Sequence, residues 1–345
     1  MKAAVFEGPG RIVVREVDPP ELEPGGMIVQ IEACAICGSD LKTLRYGNPR
    51  FEPPQILGHE FVGKVVEIGP DVEGFSPGDR VTMATSISCG RCSLCHSGLE
   101  NLCPNMVRIS ADFPGAFAEL MHIPSVALRR GNVLKVPESL SSEAGALAEP
   151  LSCVVNSQQI AGVKAGDTVV VIGAGPMGIL QGEVARANGA TKVIITQRSA
   201  TRLEMASQFD FDAVIDASRE DPVARVKELT GGMGADVVMV AAPSKEAQER
   251  ALEMARKGGM VNLFASLPQE EAFISLNSRL IHYGQIAVTG ASDSAPQHVE
   301  VALKLLEADK ISTDKIITHR VPLDDIMDGF QFMADKVSLK VMVYP

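Results

Sequence analysis

Residues 169–178 read VVVIGAGPMG, a run of apolar, mostly β-branched residues followed by three glycines in the spacing G-x-G-x-x-G. The apolar run predicts a buried strand, and the residues after the glycines have the pattern of a helix. In this setting the first glycine permits a tight turn, the second lets the backbone approach a pyrophosphate, and the third lets helix and strand pack closely. A tight turn that binds no nucleotide is the alternative. The predicted cofactor-binding residues of this loop are Gly173, Gly175, Pro176, Met177 and Gly178.

The next predicted strand, residues 192–196, ends about 20 residues downstream, where an acidic residue would hydrogen-bond the ribose 2′-hydroxyl of NAD. Gln197 stands there instead, followed by Arg198 and, one helical turn later, Arg202. A carboxylate would repel a 2′-phosphate, whereas arginine can bind one through charge-assisted hydrogen bonds. The sequence therefore predicts NADP(H) rather than NAD(H), with these three residues at the cofactor. The alternative is that the arginines are solvated and specificity is set elsewhere.

Beyond Leu151, predicted strands alternate with predicted helices. Such alternation is typical of an α/β domain with a doubly wound parallel sheet. The predicted helices include residues 176–188 and 200–208, and the predicted strands are residues 168–172, 192–196, 213–215, 237–240, 259–264 and 285–290.

The first 150 residues have a different texture, rich in glycine, proline and β-branched runs such as residues 27–31 and 61–69. This pattern predicts a β-rich domain with long loops. The last stretch has an amphipathic helix at residues 296–309, a closing helix at 324–333 and a strand at 340–343, and we expect it to pack back on the first domain. The predicted boundaries are 1–152 with 292–345 for the β-rich domain and 153–291 for the dinucleotide-binding domain.

Four of the seven cysteines lie in one short segment, with the spacing C-x2-C-x2-C-x7-C. Four thiolates so spaced can close a tetrahedron around zinc and leave no position for a substrate. Redox thiols are one alternative, and a nucleic-acid zinc ribbon is another that the acidic charge of the chain disfavours. Cys34 and Cys153 are predicted to be packing residues. The predicted structural zinc ligands are Cys89, Cys92, Cys95 and Cys103.

A second set of potential metal ligands is scattered over separate segments, so only a fold can gather it. Its members are Cys37, His59, Glu60 and Glu149. Glu149 is an acid in an otherwise apolar run, where an unpaired charge is costly unless it meets a cation. His59 alone would more often be an ordinary loop histidine. Together the four residues are typical of a metal site left open for chemistry.

The chain resembles the zinc-dependent medium-chain dehydrogenase/reductase family along essentially its whole length. The similarity is greatest to the branch of sorbitol (polyol) and threonine dehydrogenases. The four-cysteine segment and the glycine loop follow the family signature G-H-E-x2-G-x5-G-x2-V in family order. The residues that match this signature are Gly58, His59, Glu60, Gly63, Gly69 and Val72.

The resemblance implies a GroES-like catalytic domain with two zinc ions, one catalytic and one structural, and a Rossmann domain inserted in sequence. By family pattern, Cys37, His59 and Glu149 would hold the catalytic zinc, with Glu60 as a nearby or exchanging ligand. Ser39 stands where the family places the hydroxyl that takes the substrate proton. The zinc would act as a Lewis acid on the alcohol oxygen, and hydride would pass to NAD(P).

The implied substrate is a secondary alcohol of a polyol, sugar alcohol or cyclitol, which would be oxidised to the ketone. Alternatives are a threonine-type amino-alcohol dehydrogenase, a zinc-free quinone or enoyl reductase and a non-catalytic NADP sensor. The chain departs from the family at Lys42, where relatives often carry histidine, and at Thr43, where sorbitol dehydrogenases tend to carry tyrosine. Arg279 could contact a polyol, a phosphate or a neighbouring subunit, but a surface role is the simpler interpretation.

Composition excludes several classes of partner. The formal net charge is −11, and no block of consecutive basic residues is present, which disfavours nucleic-acid binding. The first residues offer no apolar stretch of signal-peptide length, and no apolar run reaches the roughly 20 residues of a membrane helix. We therefore expect a cytoplasmic protein with a small-molecule substrate, no nucleic-acid partner and no membrane partner. Family habit suggests a homodimer or homotetramer.

Overall fold

The computed structural model describes all 345 residues, which divide into two compact units. The first comprises Met1–Ser152, Asp293–Asp309 and Ile316–Pro345, and the second comprises Cys153–Ser292 and Lys310–Lys315. Residues 310–315 were predicted in the first domain. They belong to the second unit because Ser312 N–H donates to the Glu183 carboxylate at 3.1 Å and Lys315 Nζ donates to Gln208 O at 2.8 Å.

The chain forms strands and helices in the following order. The strands are β1 (Lys2–Gly8), β2 (Arg11–Glu16), β3 (Met27–Ala35), β4 (Gln55–Ile56), β5 (Glu60–Ile68), β6 (Arg80–Met83), β7 (Ser86–Ile87), β8 (Val107–Arg108), β9 (Leu120–Ile123), β10 (Val133–Lys135), β11 (Thr168–Ile172), β12 (Lys192–Gln197), β13 (Ala213–Asp216), β14 (Ala235–Val240), β15 (Ala255–Leu263), β16 (Ala287–Gly290), β17 (Ile317–Pro322) and β18 (Lys340–Tyr344). The helices are α1 (Gly38–Tyr46), α2 (Ser93–His96), α3 (Ser125–Arg129), α4 (Ser142–Ala146), α5 (Ala148–Ala161), α6 (Pro176–Ala187), α7 (Ala200–Ala206), α8 (Pro222–Leu229), α9 (Lys245–Met254), α10 (Ser278–Gly284), α11 (Pro296–Glu307), α12 (Thr313–Ile316) and α13 (Ile326–Ala334). None of these helices has the length and apolar character needed to cross a membrane.

The second unit contains a six-stranded sheet in the order β13-β12-β11-β14-β15-β16, with every pair parallel. β12 and β13 lie on one side of β11 and β14 to β16 on the other, so the order in which the chain adds strands changes direction at β11. The glycine loop follows this strand. Residues 169–171 of this central strand are fully buried, as expected for a strand with both faces covered. The predicted α/β class and the doubly wound parallel sheet are confirmed.

The first unit is built on mainly antiparallel sheets. Its largest sheet has the order β10-β6-β5-β3-β18-β17, and β9 also pairs with β3. The carboxy-terminal strand β18 therefore lies between β3 and β17. The core of the first unit includes four phenylalanines, each at most 2% exposed: Phe6, Phe61, Phe117 and Phe330. The metal-ligand candidates lie at the ends of β3 and β5 and at the start of α5.

Candidate metal and cofactor sites

Cys37 is the N-cap of α1, and Asp40 fixes its position. The backbone N–H of Cys37 donates to Asp40 Oδ2 at 2.9 Å, which satisfies one of the donors that a helix start leaves without an intrahelical partner. The other oxygen, Oδ1, lies 3.4 Å from His59 Nδ1. Asp40 thus contacts both Cys37 and His59. A carboxylate that binds the second nitrogen of a metal-ligating histidine fixes the orientation of the imidazole ring.

His59 stands between a glycine turn and the start of β5. Gly58 has φ +91°, and a Cβ there would approach the Phe117 ring to 2.8 Å, so this position requires glycine. The imidazole is also flanked by hydroxyls: Ser39 Oγ lies 3.4 Å from Nε2 and Ser110 Oγ 3.4 Å from Nδ1. Burial opposes protonation of His59, but the negative charges of Asp40 and Cys37 prevail and raise its pKa well above its usual range.

Strand register brings Glu60 to Lys340. In the antiparallel pairs of β3, Ala35 lies opposite both Glu60 of β5 and Met342 of β18. Both carboxylate oxygens of Glu60 accept hydrogen bonds from Lys340 Nζ, with Oε1 at 2.5 Å. Glu60 is 0% and Lys340 2% exposed, so this is a fully buried ion pair. The Glu60 carboxylate is thus already neutralised by a cation.

Glu149, in the first turn of α5, is buried without an ion pair of its own. Its Oε1 accepts a hydrogen bond from Thr85 Oγ1 at 3.3 Å. Burial raises the pKa of Glu149 to about 7, and the negative charges of Glu60 and Asp293 act in the same direction. A cation beside this carboxylate would relieve the cost of burying its charge.

The ligand atoms of Cys37, His59 and Glu60 all lie within 4.8 Å of one another, and Glu149 is outside that group. A thiolate, an imidazole and a carboxylate are the donor types that zinc takes in catalytic sites. Lys340 occupies both oxygens of Glu60, whereas Glu149 forms no ion pair, so Glu149 is the carboxylate better suited to complete the set. The assignment of Cys37, His59 and Glu149 as ligands, with Glu60 nearby, stays a prediction, since distance alone groups Glu60 with Cys37 and His59.

The four remaining candidate ligands form a separate thiol cluster, with all Sγ atoms within 4.8 Å of one another. Cys92 Sγ lies 3.4 Å from Cys95 Sγ and 3.9 Å from Cys103 Sγ. A tetrahedron with Zn–S bonds of about 2.3 Å has sulfur–sulfur distances of about 3.8 Å, so the cluster fits a structural zinc. A backbone hydrogen bond from Arg91 lowers the pKa of Cys89 to about 6, while burial raises that of Cys103 to about 11.

The glycine loop has the shape that a dinucleotide needs. A Cβ at Gly178 would lie 1.8 Å from Gly173 O, so the helix can approach the strand only because no side chain stands there. A Cβ at Gly175 would meet nothing within 4 Å, and this residue is the N-cap of α6. Open space in front of a helix N-terminus suits an anionic pyrophosphate. Pro176 begins α6 and is followed by Met177, and both are half-buried.

A pocket of about 110 Å³ lies in the second unit beside the loop. Gln197 and Arg198 line it, but Gln197 Oε1 is turned back and accepts from the N–H of Arg198 at 2.6 Å. Arg198 pairs with Glu246 at 2.9 Å. Arg202 is not in the lining: it is buried in α7, where its Nη1 donates to Met205 Sδ at 3.7 Å.

The sequence analysis did not identify three residues that the structure places at these sites: Asp40, Lys340 and Arg250. Asp40 was visible in the motif C-G-S-D, whose aspartate at the third helical position is a capping signal. Lys340 gave no signal, because its partner is 280 positions away. Arg250 also lines the pocket, where it pairs with Asp221 at 2.5 Å, and nothing in its local sequence indicates that. Arg279 stacks on the exposed ring of Tyr283 at 4.9 Å, in agreement with a surface role.

A dinucleotide-type α/β unit, joined in one chain to a unit with an open cluster of thiol, imidazole and carboxylate, defines the class of zinc-dependent NAD(P)-linked dehydrogenases. Comparison with known proteins agrees. Residues 23–138 match the alcohol dehydrogenase GroES-like domain, and residues 176–308 match the zinc-binding dehydrogenase domain. The chain therefore belongs to the zinc-dependent alcohol dehydrogenase family and is an NAD(P)-linked alcohol dehydrogenase.

Similar proteins include an L-threonine 3-dehydrogenase from Pyrococcus abyssi, 36% identical over 95% of this chain and 93% of the relative. A sorbitol dehydrogenase from Halalkalibacterium halodurans is 34% identical over 100% of this chain and 99% of the relative. Among solved structures, a zinc-binding dehydrogenase from Sinorhizobium meliloti bound to NADP has a TM-score of 0.91 at 35% identity, covering 100% of this chain and 99% of that one. The family resemblance and the GroES-like fold are confirmed.

Proposed function

We propose that this dehydrogenase oxidises a secondary alcohol of a polyol, sugar alcohol or cyclitol to the ketone, with NADP as the preferred acceptor. The observation that supports this substrate class is that three hydroxyl side chains contact two of the candidate ligands. Ser39 and Ser110 lie at His59, and Thr85 donates to Glu149. Hydroxyls both donate and accept hydrogen bonds, which suits a substrate made of hydroxyls.

The test is the initial rate of reduced-cofactor formation with polyols, cyclitols, their phosphates and L-threonine, before and after chelation. Zinc-dependent turnover of one polyol class supports the proposal. Turnover of L-threonine alone supports the threonine-type alternative, which the Pyrococcus relative favours.

We further propose two zinc ions per chain, one at each cysteine-containing cluster. When bound beside Cys37 and His59, zinc supplies Lewis-acid chemistry at the alcohol oxygen. The chain's own residues have three roles. Asp40 orients His59, and Lys340 keeps the Glu60 carboxylate neutralised. Ser39, which is exposed, relays the substrate proton: its Oγ accepts that proton as its own hydroxyl proton passes to water.

Ser39→Ala is expected to lower kcat about a hundredfold, because a positioned group that transfers a proton contributes about 10² to 10⁴ in rate. Zinc content should not change, since Ser39 is not a candidate ligand. The matched control is Ser76→Ala, an exposed serine in a loop. Wild-type turnover by Ser39→Ala would rule out the proton role.

Arg198→Ala is expected to lower kcat/KM for NADP by about ten- to a hundredfold and to change kcat/KM for NAD much less. A charge-assisted hydrogen bond to a phosphate is worth about 1.5–3 kcal/mol, and NAD lacks that phosphate. Arg250→Ala tests the second arginine of the pocket in the same assay. Arg225→Ala is the matched control, because Arg225 makes a comparable surface pair with Glu228. Equal losses with both cofactors would place the 2′-phosphate elsewhere.

We also propose that the chain forms a homodimer or homotetramer. Strand β16 ends the six-stranded sheet, pairs with β15 alone and exposes Ala287 and Val288. A partly apolar, unpaired strand edge is a surface on which a second strand can pair. Analytical ultracentrifugation distinguishes these states from a monomer.

A further inference from the structure

A polar cluster outside the predicted ligand set lies in the first unit. Asp293 Oδ2 accepts from Ser86 Oγ at 2.5 Å and from Arg108 Nη2 at 3.3 Å. Arg108 Nε donates to Ser86 Oγ at 3.2 Å, which closes a triangle of three side chains. Ser86 is buried, while 36% of the Arg108 side chain and 17% of the Asp293 side chain remain exposed. Buried Ser86 thus anchors the cluster, and its two charged side chains remain partly exposed.

The cluster is adjacent to the candidate metal site through its chain neighbours. Thr85, the residue before Ser86, donates to Glu149, and Ser110, two residues after Arg108, lies at His59. In addition, Ser152 Oγ donates to Glu149 O at 2.5 Å and accepts from Ser294 Oγ at 2.7 Å.

The charges of the cluster decide which chemical group it suits. The Arg108 guanidinium and the Asp293 carboxylate neutralise each other, so the pair presents donors and acceptors with little net charge. An anionic substrate group would meet Asp293 and Glu149 as like charges. A hydroxyl can accept from the guanidinium and donate to the carboxylate at once, so it can join the pair without breaking it. The two hydrogen bonds to Ser86 and Asp293 use two of the five N–H donors of the Arg108 guanidinium.

We propose that Arg108 and Asp293, supported by Ser86, form the subsite that binds a hydroxyl of the substrate next to the carbon that is oxidised. This inference rests on the proposed polyol function and deepens it. The subsite selects a neutral polyol over a simple secondary alcohol, a sugar phosphate or an amino acid. Arg108 and Asp293 are specificity residues that touch substrate but not the reacting carbon.

The experiment compares wild type, Arg108→Met and Asp293→Asn as zinc-loaded full-length enzymes. The substrates are xylitol, D-glucitol and myo-inositol as polyols, butane-2,3-diol with 2-butanol as a pair that differs by one hydroxyl, and L-threonine. Asp293 has φ +60°, a conformation that asparagine also tolerates, so Asp293→Asn keeps the backbone and the shape. Arg11→Met is the matched control, because Arg11 makes an exposed pair with Glu7.

We expect both variants to lower the ratio of kcat/KM for the best polyol to that for 2-butanol at least about tenfold, mainly through KM, because a site built to hydrogen-bond a hydroxyl discriminates through it. The diol-to-monoalcohol ratio should fall likewise, and Arg11→Met should leave both ratios as in wild type. Zinc content and Tm, measured alongside, identify any variant that is misfolded, and Asp293→Asn then decides.

Two results would overturn the subsite. Ratios within about twofold of wild type in both variants would mean that the pair only fixes the turn at Asp293. A larger loss for L-threonine than for any polyol would mean that the pair binds a zwitterion. The proposed function fails separately, if wild-type enzyme prefers no polyol to 2-butanol and L-threonine.

Discussion

Lys340→Met is expected to lower the free energy of unfolding by about 3–5 kcal/mol, the cost of breaking a buried ion pair by removing one partner. Lys340 Nζ donates to both carboxylate oxygens of Glu60, and both residues are almost fully buried. The variant leaves the Glu60 carboxylate without a cation in a site shielded from water. Denaturant unfolding at neutral pH, followed by circular dichroism, measures the loss.

The matched control is the double variant Glu60→Gln with Lys340→Met, because replacing both members of a buried pair is often close to neutral. We expect it to recover most of the lost stability. Zinc content is measured in parallel, since Glu60 already lies within 4.8 Å of Cys37 and His59 and its oxygens are no longer occupied by Lys340 in Lys340→Met. A loss below about 1 kcal/mol in Lys340→Met would show that the ion pair does not hold Glu60.

The parts of the fold that the sequence predicted are encoded in contiguous segments. The glycine loop needs three glycines within six positions, and the thiol cluster needs four cysteines within fifteen, so spacing alone constrains the geometry. Alternation of strand and helix after Leu151 likewise predicted the parallel sheet, since each βαβ unit is local in sequence. Apart from the boundary residue Ser292, the residues assigned to the wrong unit are 310–315. They follow contacts to Glu183 and Gln208 that no local pattern encodes.

The parts that the sequence did not predict depend on strand register or on distant helices. Lys340 reaches Glu60 only because β18 and β5 flank β3. The sequence pattern of a short apolar strand near the carboxy terminus does not predict which strands it will pair with. Arg250 reaches the pocket beside the glycine loop from α9, far along the chain from Arg198. The partners of Glu60 and Glu149 likewise follow from the tertiary structure, which gives Glu60 an ion pair with Lys340 and Glu149 a hydrogen bond from Thr85.

Glu149→Gln is expected to lower kcat about a thousandfold and to reduce zinc from two ions per chain to one. The amide keeps the size of the side chain but removes the charge that a divalent cation requires, and Lewis-acid stabilisation is worth several kcal/mol. Tm should change little, because burying the Glu149 carboxylate is itself costly, as its raised pKa indicates. Zinc analysis, kcat and a thermal scan measure the three effects.

Cys103→Ser tests the other zinc site. It removes one thiolate from the four-cysteine cluster, where zinc binding supplies folding free energy, so we expect one zinc to be lost together with a marked fall in Tm. Below its Tm the variant should retain much of its turnover, since the ligand candidates around Glu149 are untouched. Each variant thus loses one zinc, but the first loses catalysis and the second loses stability. Loss of both zinc ions in either variant would contradict two independent sites, and full activity of Glu149→Gln would remove Glu149 from the ligand set.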